Sequence, residues 1–276
     1  MSRNLVILGG GTGGTIMANR LRRVYGQDDL SITLVDRDDC HVYQPGLLFV
    51  PFGLSSPEEI ERSRGRQLHD GIDFRQVEIT RVDIDERRVH LADGEALPYD
   101  VLVVATGARL VPDETEGLQE ALDAGQAHTF YTPAGAATLA EALDTFEAGR
   151  IVINIVDLPI KCPVAPLEFA FLADWFFTDR KRRDDVELVY VTPLDGAFTK
   201  PVASEKLGGL LEERGIEMVT EFNVGEVDGP GGRLVSYDER EIPFDLLVSI
   251  PLHSGAEYVA ESPGLGDELD FVPTDP

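Results

Sequence analysis

Four residues near the N-terminus could hold a dinucleotide, and one cysteine further along could carry sulfur chemistry. Gly9, Gly11 and Gly14 are spaced G-x-G-x-x-G. In such a turn the first glycine allows the tight bend, the second lets backbone approach a pyrophosphate, and the third lets the following helix pack on its strand, with helix N–H groups facing the phosphates. Asp36, 22 residues beyond Gly14, is positioned to accept hydrogen bonds from a ribose. Cys162 stands just ahead of an expected helix, whose N-terminus favours a thiolate and so a nucleophilic sulfur. The competing reading of Cys162 is a small buried hydrophobe.

The elements that must position these groups follow in order. An apolar strand, Leu5–Leu8, runs into the glycine turn, a helix follows, and a second strand, Ser31–Val35, ends at Asp36. From Arg37 to Leu54, Pro45, Gly46, Pro51 and Gly53 predict no regular structure. Helical spacing is expected from Pro57 to Leu68, then short strands at Phe74–Val77, Glu78–Asp83 and Arg88–Ala92, with a turn at Asp93-Gly94. Tyr99–Val104 reads as a buried strand that ends in the small residues Ala105-Thr106-Gly107-Ala108, where backbone can come close to a flat or phosphorylated ligand.

A second α/β unit begins after Pro112. It has an expected helix at Pro133–Glu147, strands at Arg150–Val156, Val186–Val191, Glu217–Glu221 and Asp245–Ile250, and a helix from Ser204 to Arg214 closed by Gly215. Where a second glycine fingerprint would follow Ile151–Val156, the chain has Asp157–Pro166, with three prolines that remove backbone donors. A nicotinamide cofactor is disfavoured there. The expected architecture is α/β, with two Rossmann-like dinucleotide-binding domains and the second inserted in the first. Residues 1–112 form the first part, 113–243 the inserted domain, and 244–276 the return.

Composition excludes other classes. With 276 residues and 43% hydrophobic content the chain can bury one large or two moderate cores. Fifty acidic residues against 24 basic ones give a formal charge of −26, and lysine occurs only at 161, 181, 200 and 206. Such a surface repels nucleic acid, and it suggests a protein kept soluble in high salt, where carboxylate repulsion is screened; a merely acidic mesophilic protein is the alternative. Met1-Ser2-Arg3-Asn4 leads straight into a strand, without the features of an export signal, and no run of 18 apolar residues occurs. The expected location is the cytoplasm, with peripheral attachment to the cytoplasmic face of a membrane as a further option.

At these residues the chain resembles the sulfide:quinone oxidoreductase family, which is related to flavocytochrome c sulfide dehydrogenase and type II NADH dehydrogenase. The Ala105-Thr106-Gly107 turn resembles the ATG segment of the wider disulfide-reductase-like flavoprotein superfamily, which makes FAD preferred over NAD. The matching positions are the glycine fingerprint with Asp36, the segment His41–Gly53, the ATG turn, and Cys162 with Pro166 and Glu168. The resemblance implies that Gly9, Gly11, Gly14 and Asp36 bind the ADP half of FAD, with Thr12 and Arg37 also expected among the cofactor-binding residues. It also implies that Tyr43, Pro45, Gly46, Ala105, Thr106 and Gly107 lie near the flavin. A cysteine at the position of Cys162 lies beside the ring in that family and handles sulfide sulfur, and Glu168 would serve proton transfer. The implied chemistry is oxidation of sulfide or another small sulfur donor through the cysteine, with two electrons passing by way of FAD to a membrane quinone, in a protein able to form a homo-oligomer.

The chain departs from the family in three ways. Its only other cysteine, Cys40, does not match the family's second redox cysteine and reads as a packed thiol. Tyr131 replaces a cysteine that in some members ties FAD covalently, so FAD is expected to be noncovalent. Members also run about a hundred residues further, whereas this sequence ends at Pro276. An NADH:quinone reductase and a noncatalytic flavoprotein-like homologue therefore stand as alternatives. His41 reads as an exposed loop residue, and Glu168 is explained equally by helix-dipole stabilisation. The apolar run Phe169–Phe177, followed by Arg180-Lys181-Arg182-Arg183, reads as a core helix rather than a membrane contact.

Overall fold

A strand buried on both faces reads as a continuous apolar run, and Leu5–Leu8, inside the first sheet, is such a run. The computed structural model describes residues 2–275. The chain divides into two units, Met1–Tyr43 with Glu58–Arg109 and Ser254–Pro276, and Gln44–Pro57 with Leu110–His253. Both are Rossmann-like α/β units.

In the first unit, β1 (Arg3–Leu8), α1 (Thr12–Val24), β2 (Leu30–Asp36), β3 (Ile72–Gln76) and β4 (Val101–Val104) form a parallel sheet of order β3-β2-β1-β4 with its crossover helix. The register sets Ile7 opposite Leu34 and Val103. Alternate residues of β1 point to opposite faces: Leu5 and Ile7 pack with Ala18 of α1, while Val6 and Leu8 pack with Val82, Val89 and Leu91 of a three-stranded antiparallel meander. Tyr258 and Val259 join this second face, and Ser262 Oγ takes the Val82 N–H at 2.8 Å.

Two local expectations fail in this part of the chain. The helix expected from Pro57 to Leu68 is one turn at Pro57–Ile60, then a strand, Glu61–Ser63, paired antiparallel with Cys40–Val42, then a 3-10 turn at Gly65–Gln67. The helical spacing is overridden as Arg64 turns inward to the carbonyls of Gly10, Asp38 and Cys40. The stretch from Arg37 to Leu54, expected to lack regular structure, carries the strand Cys40–Val42 and 3-10 turns at Gln44–Leu48 and Val50–Phe52.

In the second unit, β5 (Ala127–His128), α2 (Pro133–Thr145), β6 (Gly149–Ile155), α3 (Ala165–Asp179), β7 (Val186–Val191), α4 (Pro201–Glu213), β8 (Ile216–Val219) and β9 (Leu246–Ile250) give a parallel sheet of order β5-β9-β6-β7-β8. One face, with Val152, Val189 and Leu247, packs on Phe222 and on Val224, Leu234 and Ile242 of a three-stranded antiparallel meander, Val224–Asp228, Arg233–Ser236 and Glu241–Pro243. Phe169 and Phe176 of α3 close on Phe52, and Phe130 stacks on Phe169 at 4.9 Å. The inserted unit thus extends past residue 243. β9 pairs with β6 from Ile151↔Leu246 to Ile155↔Ile250, so the return to the first unit starts at Ser254.

The basic cluster after α3 serves this unit's own fold. Arg180 lies over the Phe176 ring and pairs with Asp144, Arg182 reaches the Phe146 carbonyl, and Arg183 bonds Asp174 at 2.7 Å. Among the described residues no helix is long and apolar enough to cross a membrane.

Candidate active site

The glycine turn between β1 and α1 is held by its neighbours so that its open side faces the helix start. Gly9 has φ +92°, and a Cβ there would lie 2.5 Å from the Ala105 carbonyl oxygen, so only glycine lets the turn nest against the ATG segment. A Cβ on Gly14 would overlap the Gly9 carbonyl oxygen, whereas one on Gly11 meets nothing within 4 Å. Gly11 therefore borders open space, as a phosphate approach requires. It is also the N-cap of α1, with no side-chain cap and no acid in the first turn. Those helix N–H groups and the positive end of the dipole suit an anion.

The acid at the end of β2 serves the turn directly. Asp36 Oδ2 accepts the Gly10 N–H at 2.6 Å, and Oδ1 lies 3.3 Å from Arg64 Nη1. Arg37 instead is an exposed side chain 3.7 Å from the Asp38 carboxylate. Thr12 is exposed at the first position of α1. Ala105 continues the β4 ladder by donating its N–H to Leu8 at 2.7 Å. Thr106 Oγ1 meets the Tyr258 hydroxyl at 3.2 Å, and Gly107 is exposed with φ +71°. The expected flavin segment is divided: Tyr43, an exposed side chain, belongs to the first unit, while Pro45 and Gly46 sit in a 3-10 turn of the second.

In the second unit, Cys162 is an exposed free thiol three residues before α3. Its carbonyl accepts the Ala165 N–H at 3.1 Å and the Tyr131 hydroxyl at 3.0 Å, so a buried tyrosine pins the turn that carries the sulfur. Burial, followed by the charge of Cys162, pushes the Tyr131 hydroxyl far above its ordinary range and keeps it a donor. Lys161 Nζ lies 5.7 Å from the Tyr131 ring centre and 3.4 Å from Gln44 Oε1, and burial lowers its affinity for the proton. Glu168 is exposed in the first turn of α3.

His253 completes the surroundings of Tyr131, meeting its ring edge to face at 5.4 Å. The imidazole is 4% exposed, with Nδ1 2.9 Å from the Pro251 carbonyl. A carbonyl only accepts, so Nδ1 carries the proton and Nε2 presents a lone pair. Nε2 is buried without a partner. Burial chiefly, and the Lys161 charge after it, hold the imidazole's pKa down at about 4 against an ordinary 6.5.

Arg64, the contact of His41 with the turn, and His253 carry no signal in the sequence. Arg64 and His41 reach Gly10 from 54 and 31 positions away, and no local pattern signals contacts of that kind. A cleft of about 850 Å³ lies among Arg150, Arg183, Arg214 and nearby acids, at the opening ends of β6, β7 and β8 rather than beside Cys162. Its arginines are already paired with Glu187 and Asp174. Among the described residues no cluster could hold a metal ion.

Residues 3–153 match the model of the pyridine nucleotide-disulphide oxidoreductase family. The chain is 24% identical over 283 residues to the mitochondrial sulfide:quinone oxidoreductase of Mus musculus, covering 98% of this chain and 61% of that protein. It is 27% identical over 282 residues to the sulfide-quinone reductase of Aquifex aeolicus, covering 98% and 62%. The solved structure of the Aquifex aeolicus sulfide:quinone oxidoreductase superposes with a TM-score of 0.85 at 22% identity, over 98% of this chain and 64% of that one. The chain thus spans about three fifths of the length of these relatives.

Proposed function

Because this chain belongs to the pyridine nucleotide-disulphide oxidoreductase family, we propose that it binds FAD noncovalently on its first unit and oxidises sulfide at Cys162. The observation that carries the reading is an exposed cysteine on a pinned turn before α3, where a nucleotide-binding unit would otherwise place its glycines. The relatives that match along almost the whole chain are named for sulfide and quinone.

The first unit fits the dinucleotide. Gly11 leaves room for a pyrophosphate, the uncapped start of α1 supplies N–H donors, and the Gly9–Ala105 contact keeps both ligand-facing turns in register. Asp36 has one oxygen engaged with Gly10, so a ribose hydroxyl would be met by Oδ1. FAD, when bound, supplies a two-electron acceptor.

At Cys162 the chemistry is formation of a sulfur–sulfur bond: HS⁻ + Cys–S⁻ → Cys–S–S⁻ + H⁺ + 2e⁻. Lys161, next in sequence, favours the approach of an anion, and Tyr131 holds the cysteine's backbone still. Glu168 takes up the released proton from its exposed position in the first turn of α3. In the same proposal the electrons pass to a membrane quinone, from a protein peripheral to the cytoplasmic face, and the acidic, lysine-poor composition suits a high-salt cytoplasm.

An NADH donor is disfavoured by the proline-rich turn after β6, which has no glycine from Asp157 to Pro166. The test is an anaerobic titration of the purified chain, supplied with FAD in several molar potassium chloride, with sulfide and with NADH in parallel. The proposal expects flavin uptake and bleaching by sulfide. Bleaching by NADH alone, or no flavin uptake, contradicts it.

A further inference from the structure

An arginine from a distant segment grips the peptide at the centre of the glycine turn. Arg64 is 5% exposed, in a chain of net charge −26 whose arginines otherwise lie largely at the surface. Its Nε donates to the Gly10 carbonyl at 2.8 Å, Nη2 to the Cys40 carbonyl at 2.5 Å, and Nη1 to the Asp38 carbonyl. Nη1 also lies 3.3 Å from Asp36 and 3.1 Å from Asp38, which balance its charge. The Gly10 carbonyl further accepts the Thr15 hydroxyl at 2.9 Å and faces His41 Nδ1 at 3.3 Å, while the Gly10 N–H goes to Asp36.

Both ends of Gly10 are therefore fixed. In a trans peptide the carbonyl and the following N–H point in opposite directions. Drawing the Gly10 oxygen toward Arg64 turns the Gly11 N–H the other way. The packing also explains why Gly10, which the G-x-G-x-x-G pattern leaves free, is itself glycine: a Cβ there would overlap Arg64 Cδ.

We propose that Arg64 is a positioning residue of the dinucleotide cradle, orienting the Gly10–Gly11 peptide so that the Gly11 N–H is presented to a pyrophosphate. The inference rests on the reading of the first unit as an FAD site, and it extends that reading to a residue outside the glycine fingerprint. Arg64 acts through the backbone and need not touch the ligand. The fork of the guanidinium bonds three carbonyls at once, which a lysine ammonium at the end of a flexible stem does not reproduce.

The experiment follows glycine amide resonances of the unliganded full chain, ¹⁵N-labelled at glycine, while ADP is added, with FAD affinity measured alongside. In the parent the Gly11 amide should shift with ADP. In Arg64→Lys the Gly11 resonance should move in the free protein, and ADP should bind about tenfold more weakly, while glycine resonances of the second unit, such as Gly225, stay in place. Arg64→Gln is the second variant should the lysine form not fold. Equal ADP affinity and an unmoved Gly11 amide in a folded variant would overturn the proposal. A parent that responds to ADP at Gly11 yet takes up no FAD refutes the FAD reading instead, and the variant comparison still decides the role of Arg64.

Discussion

Replacing His253 with glutamine should make the second unit less sensitive to acid. The folded imidazole is held neutral, with a pKa of about 4 against an ordinary 6.5, because it is buried and stands near the Lys161 charge. A folded pKa below the unfolded one means that the unfolded chain binds the extra proton first. The stability associated with the neutral imidazole is thus complete above pH 6.5 and is lost as the pH falls toward 4. The interval of two and a half units corresponds to about 3 kcal/mol. Carboxylates elsewhere titrate in both proteins and cancel in the comparison. Trp175, the single tryptophan, lies on α3 of the same unit, so its fluorescence follows urea unfolding where His253 resides. Between pH 7 and pH 4 the parent should lose about 3 kcal/mol more than His253→Gln. Parallel losses would refute the assignment of a neutral, proton-refusing imidazole.

Two further substitutions separate packing from ligand binding. Gly14→Ala should lower the stability of the first unit by about 3 kcal/mol, because the new Cβ overlaps the Gly9 carbonyl oxygen, and thermal melting of the apoprotein reads this directly. Gly11→Ala should cost only about 0.5–1 kcal/mol, since its φ of −67° suits alanine and its surroundings are open, yet it should abolish FAD uptake by filling that space. In the second unit, Asp174 is bonded by Arg183 at 2.7 Å and Arg214 at 3.0 Å with its side chain 8% exposed. Asp174→Ala should destabilise by about 3 kcal/mol, whereas Arg150→Ala, which removes the half-exposed pair with Glu187, should cost less than about 1 kcal/mol in the same urea titration.

The parts of the fold legible in the sequence are those set by short-range pattern. β1, the glycine turn, α1 and β2 follow one another in the order that Leu5–Asp36 announces, and Val186–Val191 is a strand over the span its apolar run indicates. Segments governed by distant partners were not legible. Pro57–Leu68 has helical spacing, but Ser63 and Arg64 are drawn to Asp39, Gly10 and Cys40, and the chain breaks into a strand and a tight turn. The expected boundary at 244 puts the 244–253 stretch in the return, although Asp245–Ile250 also reads as a strand of the second unit; pairing with β6 holds it in the second sheet. At the candidate site the placement of the glycines before α1, of Asp36 at the end of β2 and of Cys162 before α3 follows from their types and spacing. Arg64 and His253 act through burial and orphaned or shared backbone partners, properties that exist only once the chain is folded.

In the proposed reaction electrons from sulfide leave through Cys162. The most direct measurement is the anaerobic reaction of the FAD-loaded chain with sulfide, followed by flavin absorbance and by the intact mass of the protein, for the parent and Cys162→Ser. The parent should bleach and gain the mass of one sulfur at Cys162, and the serine variant should show neither change. Equal bleaching in both proteins, or a parent that bleaches without gaining sulfur, would contradict that reaction.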